Sequence, residues 1–341
     1  MATGTKPAVR PERIMKYAWG YAAPLIVEAA VHHGVFDALA DGPKSVEQVA
    51  VKTGASARGL RMILNALVGF ELLTKAGPDR YALADESAAF LVSSKTEYLG
   101  GFLKHTSTHL IPKWLHLTDV VRTGRPAEAV NREDEGAEFF AKFVEDLYPM
   151  NAGAANVLAD HLNVAAATGP VSVLDLAAGS GVWSIPLAER SPKVRVTAVD
   201  WPGVLPATRR TAERHGAADR YTFVPGDLLE ADFGSGHNVA TLGHILHSEG
   251  EARSKQLLAK VFAALAPGGT IAIAEWLVEP DRTGPKQGLI FAVNMLVNTD
   301  AGDTYSFDEI AGWLKAAGFT AVRTLEVPGP SPLVLATKPR A

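Results

Sequence analysis

At 341 residues the chain is long enough for two domains, and 47% hydrophobic with 21% charged residues is the composition of a soluble globular protein. A formal charge of −4 argues against a nucleic-acid partner held by electrostatics, the apolar runs are too short for a membrane span, and the start MATGTKPAVRPER lacks the apolar core of a secretory signal. The absence of cysteine excludes disulfides, thiolate nucleophiles and thiolate-held metals, so a cytoplasmic enzyme is expected.

From Pro11 to Ala40 the pattern is helical and mostly apolar, with Ile14, Tyr17, Tyr21, Leu25, Val27, Val35, Phe36 and Leu39. A surface apolar on so many sides must be buried, and at this end of the chain a partner subunit is the expected cover. Ser45-Val46-Glu47-Gln48 reads as a capping box that opens one short helix. Ser56 caps a second, with Leu60, Ile63, Leu64, Leu67 and Val68 as its apolar stripe. Leu72-Leu73-Thr74 and Arg80-Tyr81-Ala82-Leu83 flank Gly77-Pro78-Asp79 as a hairpin. Helices followed by a hairpin make a winged-helix arrangement over residues 1–95. Between Ser56 and Phe70 the cations are Arg58 and Arg61 alone, too few for useful phosphate or base contacts. A structural, dimer-forming module is the favoured reading over a DNA reader.

Residues 96–165 read as connecting helices. Leu99, Phe102, Leu103, Leu110, Trp114, Leu115 and Leu117 form one apolar set, which Gly124-Arg125-Pro126 ends. A helix from Glu133 to Tyr148 follows, acidic at its start as a helix N-terminus prefers, with Phe139, Phe140, Phe143, Val144 and Leu147 along one side. His105 and His109, four residues apart, are candidates to face a cavity.

Residues 166–341 open on VSVLDLAAGSG, Val171 to Gly181. The apolar run is a buried parallel strand, and the small residues after it let backbone N–H groups approach a ligand. A helix from Val182 to Arg190 points its positive end at the same place. A second strand ends in Asp200, where doubly wound folds use an acid to bind ribose hydroxyls. A dinucleotide fingerprint fits poorly, because its third small position is Ser184 and Asp175 would repel a pyrophosphate. Asp175 suits a ligand carrying positive charge. A third strand, Tyr221 to Val224, ends in Pro225-Gly226-Asp227-Leu228, and a fourth, Asn238 to Gly243, exits through His244-Ile245-Leu246-His247-Ser248-Glu249. A helix from Glu251 to Leu265 stops at Ala266-Pro267-Gly268-Gly269, and a fifth strand, Thr270 to Ala274, carries Glu275 at its end. An apolar helix spans Leu289 to Val297, Ser306 to Glu309 is a second capping box, and Phe319 to Val327 with Leu333 to Thr337 closes the sheet as a strand pair. His244, His247 and Glu249 nominally offer a metal two imidazoles and a carboxylate, but their spacing is no established metal signature and no metal is expected.

The DLAAGSG segment resembles the first motif of the S-adenosylmethionine-dependent methyltransferases, whose ligand carries an amino group and a sulfonium. From Ile14 to Lys338 the chain is similar to the small-molecule O-methyltransferases of the acetylserotonin (hydroxyindole) type. AWGYAAPLIVEAAVHHGVFDAL and GLRMILNALVGFELL match their N-terminal domain. The resemblance implies an α/β fold, a seven-stranded Rossmann-like class I methyltransferase sheet behind a winged-helix-like dimerisation domain, acting as a homodimer on a small, aromatic acceptor. It implies S-adenosylmethionine as cofactor and S-adenosylhomocysteine as product. Asp175, Gly179, Gly181, Asp200, Trp201, Gly226, Asp227, Leu228 and His244 are then cofactor contacts, with Phe143 and Met150 closing over it beside Tyr148. His247 corresponds to the histidine that removes the acceptor proton and Glu275 to the glutamate that orients it. Phe291, Asn294, Met295 and Trp114 are the expected acceptor lining.

Two departures stand out. The aspartate and tryptophan that usually follow the histidine are Ser248 and Glu249, and the family's second acid falls on Thr304 beside Asp303. Transfer to carbon or nitrogen, or a non-catalytic winged-helix regulator with a degenerate enzyme domain, are the alternative readings.

Overall fold

The computed structural model describes residues 10–131 and 133–340, and the chain divides into two compact units, residues 1–111 and 112–341. In the first unit the serines start helices as their capping patterns predict. The Ser45 hydroxyl accepts from Gln48 N–H while the Gln48 side chain accepts from Ser45 N–H, and Ser56 caps Ala57–Gly69 through Gly59 N–H. The apolar N-terminal stretch is three helices, Glu12–Ala18, Ala22–His32 and Val35–Leu39, interrupted at Trp19 and at Gly34. Strands β1 (Lys44–Ser45), β2 (Leu73–Lys75) and β3 (Arg80–Leu83) make a small antiparallel sheet in the order β1-β3-β2. The hairpin was legible; β1, two residues long, is too short to carry an alternating pattern. Phe36, Leu39, Leu64, Leu67 and Leu73 form the core. His105 and His109 belong to this unit and face each other, with their Nδ1 atoms 3.2 Å apart.

The second unit is built on a seven-stranded sheet of β4 (Val171–Leu176), β5 (Val194–Asp200), β6 (Tyr221–Pro225), β7 (His237–Gly243), β8 (Leu265–Ala274), β9 (Thr320–Leu325) and β10 (Leu333–Thr337). Their order is β6-β5-β4-β7-β8-β10-β9, with the first five parallel and β10 antiparallel to both neighbours. This is the expected class I methyltransferase sheet. The strand order reverses between β4 and β7, so a crevice opens at the carboxyl ends of the strands there. Among the described residues no helix is long and apolar enough to cross a membrane.

Several boundaries differ from the sequence reading. The helix from Glu133 runs through Pro149 to Leu162, because Ala155, Leu158 and Ala159 beyond the proline are fully buried and offset its lost hydrogen bond. The helix after the glycine turn starts only at Ile185, since Val182-Trp183-Ser184 is spent in the turn. Ala266 to Gly269 is not a turn but part of β8, at an irregularity opposite His237 and Val239. The helix between β7 and β8, Leu246–Ala264, starts five residues earlier than the pattern suggested, and Gly250 within it is non-helical (φ 76°, ψ 164°).

Candidate active site

Five strand ends, those of β4 to β8, assemble the site. At the end of β4, Gly179 and Gly181 have φ of 54° and 77°, values that L side chains rarely adopt. A Cβ on Gly181 would lie 3.2 Å from Ile185 Cδ1 and 3.3 Å from Thr208 Cγ2, and one on Gly179 would meet Val144 Cγ1 at 3.4 Å. Val144, Phe140, Trp201, Val204 and Ala207 pack together over this turn. At the end of β5, Asp200 accepts Gly179 N–H on Oδ2 (2.8 Å) and Trp201 N–H on Oδ1 (2.7 Å). Both oxygens are thereby aimed, and burial pushes the carboxyl up to about 6.

Asp175 lies inside β4, opposite Thr241 of β7 in the register. Its Oδ1 accepts the Thr241 hydroxyl at 2.7 Å and its Oδ2 the Ser184 hydroxyl. The group is 1% exposed, and burial pushes it up to about 7. At the end of β6, Asp227 accepts Leu229 N–H on Oδ1 (2.8 Å) and the Arg253 guanidinium on Oδ2 (2.7 Å); Gly226 precedes it with φ of 142°, and Leu228 is buried.

Beyond β7, His247 Nδ1 lies 2.7 Å from Glu275 Oε2, and His247 N–H donates to Oε1 at 3.2 Å. The two side chains are 10% and 3% exposed. Burial alone would raise the Glu275 carboxyl, but the facing His247 outweighs it and holds the group below its ordinary value. An ionised carboxylate only accepts, so Nδ1 carries the hydrogen and Nε2 keeps a lone pair. The turn is fixed by Asp303 N–H to His247 O (2.9 Å) and by the Asn131 amide to Ser248 O (3.1 Å). His244 is held with φ of 59°, a strained value for a residue with a side chain. Its Nε2 is 3.1 Å from Asn151 Oδ1, so Nε2 carries the hydrogen and the buried Nδ1 is an acceptor without a partner in the chain. Burial keeps this imidazole neutral, lowering it to about 4.

Of the expected acceptor lining, Phe291 meets the His247 ring edge-on at 4.9 Å and stacks on Trp276. Trp114 Nε1 donates to Asn294 Oδ1 at 3.0 Å, while Met295 is buried within its helix. Phe143 stacks on Phe139, and Met150 is exposed and precedes the Asn151 that holds His244. Thr304 is buried with its hydroxyl unpartnered. His244, His247 and Glu275 offer ligand atoms within 4.8 Å of one another, a grouping that replaces the Glu249 of the metal reading. The Nδ1 of His247 is engaged by Glu275 there. Asn151, Trp276 and Arg253 were not singled out by the sequence; Trp276, directly after a strand-end acid, carried the clearest signal.

The site fits S-adenosylmethionine. Asp200 presents a carboxylate with both oxygens preset, the positive-φ glycine turn packs closely beside it, and His244 presents an unpartnered acceptor suited to a cationic amine. A family model described as an O-methyltransferase domain matches residues 114–320, and one described as an O-methyltransferase dimerisation domain matches 15–93. The chain is 30% identical to 3-hydroxy-5-methyl-1-naphthoate 3-O-methyltransferase of Streptomyces sahachiroi, over 96% of this chain and 95% of that one. It is also 30% identical to the tetracenomycin polyketide synthesis 8-O-methyl transferase TcmO of Streptomyces glaucescens, over 97% of each. The crystal structure of human N-acetylserotonin methyltransferase in complex with SAM superposes with a TM-score of 0.80 at 26% identity, covering 98% of this chain and 100% of that one.

Proposed function

Because this chain belongs to the O-methyltransferase family, we propose that it methylates a hydroxyl of a small aromatic acceptor with His247 as general base. The His247–Glu275 pair carries the reading. A phenol, with a pKa near 10, is a weak nucleophile at neutral pH, and a positioned base contributes about 10²–10⁴ in rate. Glu275 holds the ring so that Nε2 is the nitrogen that takes the acceptor's proton, and its negative charge stabilises the imidazolium that results. When bound, S-adenosylmethionine would supply an electron-poor methyl carbon on a sulfonium, with S-adenosylhomocysteine as the product. Asp200 accepts the ribose hydroxyls, Asp227 the adenine amino group, and His244 Nδ1 the amino-acid ammonium, with Gly179, Gly181, Gly226, Trp201 and Leu228 shaping the cradle. Asp175 acts from behind, fixing Ser184 and Thr241 beneath the glycine turn. Phe291 and Trp276 offer aromatic faces beside His247, which supports an aromatic acceptor.

The chain acts as a homodimer. Ile14, Tyr17, Trp19 and Tyr21 are exposed in the first unit, Ile14 at 73% and Trp19 at 69%, within or beside the segment matched by the dimerisation model. Calorimetric titration tests the cofactor assignment: S-adenosylhomocysteine binds and NADH does not, whereas the reverse overturns it.

A further inference from the structure

Asp227, Glu249 and Arg253 come from three places: the loop after β6, the turn that carries His247, and the helix body beyond Gly250. Arg253 Nη2 donates to Asp227 Oδ2 at 2.7 Å, and Arg253 Nε donates to Glu249 Oε2 at 2.5 Å. Glu249 and Arg253 are four apart, but Gly250 breaks the helix between them. A Cβ at Gly250 would stand 2.7 Å from Ala301 O, so the break is built into the packing. The pair therefore spans a kink instead of decorating one helix face. The Glu249 side chain is only 9% exposed, and a carboxylate so enclosed needs a charged partner. Glu249 stands where the family usually has an aromatic residue, and its ion pair explains what an acid does there.

We propose that Arg253 is a positioning residue that holds Asp227 for the adenine amino group, with Glu249 as its anchor. The inference rests on the reading of Asp227 as the adenine acceptor. A carboxylate has about four lone-pair sites, and Leu229 N–H and Arg253 occupy two, one on each oxygen. The remaining sites point where the fixed rotamer directs them. The planar guanidinium serves two carboxylates through two different N–H groups, a geometry a lysine ammonium does not reproduce. Removing Arg253 frees the Asp227 side chain to rotate, and the loop loses its discrimination for a donor at position 6 of the purine.

The test is the ratio of affinities for S-adenosylhomocysteine and S-inosylhomocysteine, which carries an oxo group in place of the 6-amino group. Calorimetry on the full chain gives both values for wild type, Arg253→Met, Arg253→Lys, Glu249→Gln and Asp227→Asn. Because it is a ratio, a general loss of folded protein leaves it unmoved. Arg253→Met is expected to lower the preference for the adenosyl ligand by roughly three- to tenfold, a scale set by a partly exposed ion pair. Glu249→Gln and Arg253→Lys shift it less, in the same direction. A wild-type ratio in Arg253→Met with a collapsed ratio in Asp227→Asn overturns the role of Arg253. A wild-type ratio in Asp227→Asn overturns the adenine reading of Asp227 itself, and the proposal with it.

Discussion

The imidazole of His247 and the carboxylate of Glu275, from the ends of adjacent strands β7 and β8, meet at 2.7 Å in a pocket that leaves Glu275 3% exposed. The carboxylate pays for its burial by facing the ring and the His247 N–H. Glu275→Gln keeps the shape but removes the charge and the acceptor-only partner, so the ring loses its fixed tautomer. The expected result is a fall in kcat of at least about tenfold with the affinity for S-adenosylhomocysteine unchanged. Single-turnover rates beside calorimetry check it; an unchanged rate would show that orientation of His247 is immaterial.

As the proposed ribose acceptor, Asp200 should set a pH dependence for cofactor binding. Burial raises its carboxyl to about 6, and as pH falls through that value it takes a proton and gives up part of its acceptor capacity for ribose hydroxyls. Affinity for S-adenosylhomocysteine therefore strengthens as pH rises through about 6 and levels off above it. Asp200→Asn binds more weakly and flattens this profile. Titrations between pH 5 and 8 read the outcome, and a parallel slope in wild type and variant would remove Asp200 as its source.

Asp175 sets a different dependence, of stability. Its folded value, raised to about 7 by burial, exceeds that of the unfolded chain near 3.8, so the folded state holds the proton more tightly. The stability this contributes is full below the unfolded value and is lost as pH rises through about 7. Asp175→Asn should lose less stability than wild type between pH 4 and 8, measured by urea unfolding. Ser184→Ala, which strips Asp175 of one donor and Tyr221 of a partner, should cost about 1–3 kcal/mol at any pH in this range.

The apolar surface of the first unit predicts an association that charge disrupts. Ile14→Asp together with Trp19→Asp places two carboxylates on residues exposed at 73% and 69%. Sedimentation velocity should show a dimer for wild type and a monomer for the double variant. A dimer that survives both substitutions would place the interface elsewhere.

The sequence exposed those parts of the site that sit at the carboxyl ends of apolar runs. Asp200, Asp227, His247 and Glu275 each follow a strand whose pattern is legible, and the fold brings those ends together. Partners set by register or by distant packing were not readable. Thr241 faces Asp175 only because β4 and β7 align them, and Asn151 reaches His244 across 93 positions of chain. The run of Glu133–Leu162 through Pro149 was missed for a related reason: the burial that offsets the proline comes from the sheet, not from the helix's own residues. The exchange of aspartate and tryptophan for Ser248 and Glu249 looked like decay in the sequence. In the fold Glu249 has a defined partner in Arg253, and the His247–Glu275 pair is intact.

Base-assisted methyl transfer to oxygen is the centre of this account, and one measurement addresses it directly. Wild type and His247→Ala are incubated with S-adenosylmethionine carrying a ¹³C-methyl group and a panel of aromatic hydroxyl compounds, and the products are located by NMR. Wild type should give a ¹³C-methoxy product, His247→Ala the same product at a rate lower by about 10²–10⁴, and both the same affinity for S-adenosylhomocysteine. A methyl group on carbon or nitrogen, or a variant as fast as wild type, would contradict it.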